Sequence, residues 1–103
     1  MINFEDTIIA CSSPLGSGAI SCIRISGKDC PKIFKKITKK EIKHKKVSIS
    51  EIKLGKGIEE KCVLTSYLFP NSYTGEDTIE ISCHGNPIIV ELLLSFLYDL
   101  GCR

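Results

Sequence analysis

A chain of 103 residues holds one domain with a single modest core and is too short for two. Its 25% charged and 43% hydrophobic residues are globular proportions that exclude a disordered or fibrous chain. The net charge of +2 singles out no class of partner, although Arg24 and Arg103 are the only arginines among 14 basic residues.

The elements follow in chain order. Asp6 to Cys11 is a short β-branched run, and Ser12 to Gly18 after it is a loop of turn formers. Ala19 to Ser26 alternates as a strand, with Ile23 and Ile25 on one face and Cys22, Arg24 and Ser26 on the other. From Asp29 the apolar positions Cys30, Ile33, Phe34 and Ile37 trace one helical face, with Asp29 as the expected cap and Pro31 tolerated in the first turn. Lys35 to Lys46 then holds seven lysines, one Glu and one His, read as a solvated surface. Val47 to Leu54 and Lys61 to Phe69 form two further strands about a turn at Gly55-Lys56-Gly57.

Thr78 to Cys83 is a fifth strand, placing Ile79, Ile81 and Cys83 on one face and Glu80 and Ser82 on the other. Asn86 caps a second helix, Pro87 fits its first position and Gly101 ends it. That helix is apolar nearly all round, so its surplus surface calls for cover by a second copy or by further C-terminal sequence. Its run from Ile88 to Leu100 falls short of the roughly 20 residues that span a bilayer. No signal peptide is recognised at Met1 to Ala10, so no membrane association and a cytoplasmic location are expected. The predicted order ββαβββα describes an α+β domain spanning residues 1–103, with a mainly antiparallel five-stranded sheet and two helices.

Six cysteines are scattered without a C-x-x-C pair, which points to buried reduced thiols and to no zinc site. No phosphate-binding G-x-x-x-x-G-K-[ST] occurs, so nucleotide hydrolysis is not encoded in this chain and no catalytic residue is assigned. Arg24 and Glu80 are charges inside apolar strands and need partners. Two readings stand side by side: a structural ion pair, or a carboxylate and a guanidinium aimed into a binding pocket. The loop Asn71 to Asp77 reads as a turn, and His84 as a hydrogen-bonded residue where strand gives way to helix.

Two blocks, DTIIACSSPLGSGAISCIRISG from Asp6 and PNSYTGEDTIEISCHGNPIIVELLL from Pro70, resemble the signature blocks of the N-terminal domain of MnmE (TrmE) tRNA modification GTPases. The resemblance covers nearly the whole chain, with Asp29 to Thr65 matching by element pattern alone. It implies a fold similar to the tetrahydrofolate-binding domain of glycine cleavage T-proteins, binding of 5-formyltetrahydrofolate or a related tetrahydrofolate, and homodimerisation. In the family, helical and GTP-binding domains follow, using GTP with Mg2+ and K+. With the flavoprotein MnmG (GidA), the whole protein modifies the wobble uridine of tRNAs, the folate supplying the one-carbon unit.

Carried onto this sequence, the family's folate contacts fall on Arg24 and Glu80. The adjacent N–H and amino donors of a pterin suit Glu80, while Arg24 orients that carboxylate or meets ligand oxygens. Ser17, Leu15 and Asn86 depart from the family's usual residues. Two other functions are carried alongside: a T-protein-like one-carbon transferase, and an RNA-binding α+β module that uses Lys35 to Lys46.

Overall fold

The computed structural model describes residues 7–11, 20–69 and 76–102. Five strands lie in chain order as β1 (Ile8–Cys11), β2 (Ile20–Ser26), β3 (Val47–Gly55), β4 (Ile58–Tyr67) and β5 (Thr78–His84), with α1 (Cys30–Thr38) and α2 (Pro87–Asp99) between and after them. They form one sheet in the spatial order β1-β2-β5-β4-β3, with antiparallel pairing at every junction. The expected α+β order holds throughout.

Period-two alternation dictates what each face carries. Ile23 and Ile25 from β2, Cys62 and Leu64 from β4, and Ile79 and Ile81 from β5 are buried on one face. Cys30, Ile33 and Phe34 of α1 and Val90, Leu93 and Leu97 of α2 join them in a single core. Both helices touch β3 and β5, so they cover one side of the sheet, and no described element packs over the other. Burial of the thiols holds them protonated: Cys30 and Cys62 are pushed up from 9.0 to about 12 and Cys102 to about 11. Asp77 adds to the effect at Cys30, Cys83 at Cys62 and Asp29 at Cys102. Among the described residues, Cys30, Cys62 and Cys102 are buried cysteines outside any disulfide.

α2 begins and ends as the sequence dictates. Asn86 Oδ1 accepts the Ile88 N–H at 2.8 Å, and Pro87 takes the first turn where its missing donor is harmless. At the far end Gly101 has φ 112°, its N–H reaches the Tyr98 carbonyl at 2.9 Å, and the Cys102 N–H reaches Leu97 at 3.2 Å. This pair of backward bonds satisfies carbonyls that the last turn leaves open.

Three expectations change. Asp29 precedes α1 but its side chain does not cap it; the carboxylate instead accepts the Thr7 hydroxyl at 3.3 Å, and the Asp29 N–H donates back to Thr7 Oγ1 at 3.3 Å. A buried contact 22 residues away in sequence has displaced the local one. β4 starts at Ile58, three residues before the expected Lys61, because the turn is the two-residue Lys56-Gly57. Both turn residues have positive φ, 54° and 74°, the geometry whose twist matches an antiparallel hairpin. The apolar surplus of α2 is also smaller than its composition implies: Ile89, Leu94, Phe96 and Leu100 pack partly against the core, leaving Ile88 and Tyr98 as its large exposed apolar residues.

Candidate functional site

The uncovered face of the sheet is the candidate site, and strand register places its residues. One row across the sheet runs Val47, Thr65, Glu80, Arg24 and Ala10, each the direct partner of the next. The neighbouring row runs Ile49, Val63, Ser82 and Cys22. Ile8, Ile20, Val47, Ile49 and Val63 are exposed, so this face is apolar around a polar centre.

Arg24 and Glu80 occupy that centre. Arg24 Nη2 donates to Glu80 Oε2 at 2.7 Å, with 38% and 24% of the two side chains exposed. The two residues are thus partners of each other and also accessible from the open face. They lie away from the helix-covered core but are only partly exposed, so some of the desolvation cost of a core ion pair remains. Glu80 Oε1 makes no hydrogen bond among the described residues. An oriented carboxylate with one oxygen unengaged can accept a donor from a ligand lying on the sheet.

His84 lies on the same face of β5, two alternations beyond Glu80, and is not brought to the ion pair. Its ring is 74% exposed and its Nδ1 is 2.8 Å from Glu60 Oε2, which also accepts the His84 backbone N–H at 2.8 Å. Glu60 is no candidate on the sequence reading, which starts the strand at Lys61. The alternation Ile58, Glu60, Cys62, Leu64 is the signal that places it on the helix-covered face, where 6% of its side chain is exposed.

The expected loop Asn71 to Asp77 falls outside the described residues except for Glu76 and Asp77, as does the loop holding Leu15 and Ser17. Glu76 accepts the Ser26 hydroxyl at 2.9 Å, and Asp77 accepts the Phe69 N–H at 2.8 Å and, through its carbonyl, the Gly27 N–H at 2.9 Å. These carboxylates tie strand ends together. All seven lysines of Lys35 to Lys46 are exposed, and Lys35 pairs with Glu41 at 2.8 Å. No group of His, Cys, Asp and Glu able to hold a metal occurs among the described residues. No described helix is long and apolar enough to cross a membrane.

The sequence pattern of the family described as "GTP-binding protein TrmE N-terminus" matches residues 7–103. The chain belongs to the TrmE N-terminal family. It is 39% identical over 99 residues to the tRNA modification GTPase MnmE of Francisella philomiragia, covering 96% of this chain and 22% of that protein. It is 38% identical, with the same coverage, to the proteins of that name from Francisella tularensis subsp. holarctica and subsp. novicida. This TrmE N-terminal domain therefore spans about a fifth of the length of the curated relatives it matches.

Proposed function

We propose that this TrmE N-terminal domain binds a formylated tetrahydrofolate on the open face of its sheet and forms a homodimer within a longer tRNA modification GTPase. The observation that carries the reading is the Arg24–Glu80 pair, held by direct cross-strand register at the centre of an exposed apolar face.

The residues fit the ligand's chemistry. A pterin edge offers N–H and amino donors side by side, and Glu80 offers one unengaged carboxylate oxygen beside one fixed by Arg24. Arg24 orients the carboxylate and balances its charge. Val47 and Val63, exposed on the same face, give the ring an apolar surface to lie against. When bound, the folate would supply a one-carbon unit. Self-association is supported by the exposed apolar side chains on this face and by Ile88 and Tyr98 on α2. In the longer protein, GTP with Mg2+ and K+ would be handled by another domain, and MnmG and tRNA, modified at its wobble uridine, would be the partners, in the cytoplasm.

Calorimetric titration of 5-formyltetrahydrofolate tests the reading. Saturable binding is expected, weakened about tenfold in Arg24→Ala and in Glu80→Ala, the loss of one charge-assisted hydrogen bond. An absence of heat with any folate would overturn it.

A further inference from the structure

A second polar cluster lies on the open face beyond the ion pair. A cavity of about 180 Å³ is lined by Ile20, Lys61, Val63, Ser82, Cys83 and His84. Register explains the grouping: Val63 faces Ser82 and Ile20 faces His84, and the next step of the β4–β5 register brings Lys61 beside His84. Ile20 and Val63 are apolar walls.

The polar groups of this cavity are available to a ligand. Lys61 makes no ion pair and Ser82 no side-chain hydrogen bond among the described residues. Glu51 stands opposite Lys61 on β3, yet the two do not pair. Glu60 holds the Nδ1 edge of His84 at 2.8 Å from the buried side, which leaves Nε2 as the ring nitrogen directed away from that anchor. An ammonium and a hydroxyl are two donors beside the exposed imidazole edge, and no carboxylate lines the cavity. Such a set recognises an anion attached to an apolar body.

We infer that Lys61, Ser82 and His84 form a carboxylate subsite that takes the anionic tail of an elongated ligand whose other end lies at Arg24 and Glu80. The inference rests on the folate reading above. Glu80, Ser82 and His84 succeed one another on one face of β5, so the subsite lies about 13 Å along the strand from the ion pair. A folate spans that direction with its pterin at Glu80 and its glutamate carboxylates at Lys61.

The test compares 5-formyltetrahydrofolate with 5-formyltetrahydropteroate, which lacks the glutamate, on the wild-type chain, Lys61→Met and His84→Gln. Lys61 is exposed, so its replacement leaves the fold intact, checked by circular dichroism. The wild type is expected to favour the glutamate-bearing ligand by about fivefold or more, and Lys61→Met to erase that preference by weakening this ligand alone. His84→Gln should reduce the preference in the same selective way. Equal binding of both ligands by the wild type, or equal weakening of both in Lys61→Met, would overturn the subsite and leave the folate reading standing. Failure of both ligands to bind would remove the folate reading and the subsite with it.

Discussion

Glu60 shows how a single buried carboxylate can fix a strand end. It lies on the helix-covered face of β4, yet its Oε2 meets both the backbone N–H and the ring of His84, each at 2.8 Å. Removing it strands a donor where β5 gives way to α2. Glu60→Ala should lower unfolding free energy by about 1–3 kcal/mol, and Glu60→Gln, which keeps an acceptor oxygen, by less. Urea denaturation monitored by circular dichroism measures both. Arg24 and Glu80 behave differently, because a partly exposed pair contributes only about 0–1 kcal/mol. Their substitution is predicted to weaken folate binding while leaving the unfolding free energy from urea denaturation within about 1 kcal/mol of the wild type, whereas a purely structural pair would show no effect on binding.

At the scale of elements, the strands and helices were legible wherever periodicity and local capping coincide. The alternation of β2 and β5 was enough to put Arg24 and Glu80 on the face away from Ile23, Ile25, Ile79 and Ile81. That the two charges meet is one of the two readings the sequence offers, and it is decided only by the register between strands 56 residues apart in sequence. The expected start of β4 falls three residues late because Glu59 and Glu60 are poor strand formers beside the Gly55-Lys56-Gly57 turn. Asp29 failed as a cap because Thr7, remote in sequence, binds its carboxylate. Asn86 succeeded because its partner, Ile88, is two residues away. Asn86→Ala should therefore destabilise the domain by about 1 kcal/mol, read as a lowered Tm, while Asp29→Asn should leave α1 formed. The far-ultraviolet circular dichroism of the two helices together, followed through thermal unfolding, provides the check.

The whole molecule is a sheet with one face covered and one face open, and its two sides respond to different conditions. On the covered side, Cys30, Cys62 and Cys102 release their protons only near pH 11 to 12, against 9.0 for an ordinary thiol. The native state thus binds these protons more tightly than the unfolded chain. Below pH 9.0 both states are protonated and stability is fully present; it is lost as pH rises from about 9 through 11 and 12. Denaturant midpoints at pH 8, 9.5 and 10.5 should fall in that order, and these three thiols should resist alkylation at pH 8 until the chain unfolds.

The open side carries the functional claim, and amide shift mapping tests it most directly. On titration with 5-formyltetrahydrofolate, saturable changes are predicted at Arg24, Thr65, Glu80 and Ser82, with Ile33, Phe34 and Leu97 of the helical side unmoved. Changes centred on α1 and α2, or none at saturating ligand, would contradict a folate site built on Arg24 and Glu80.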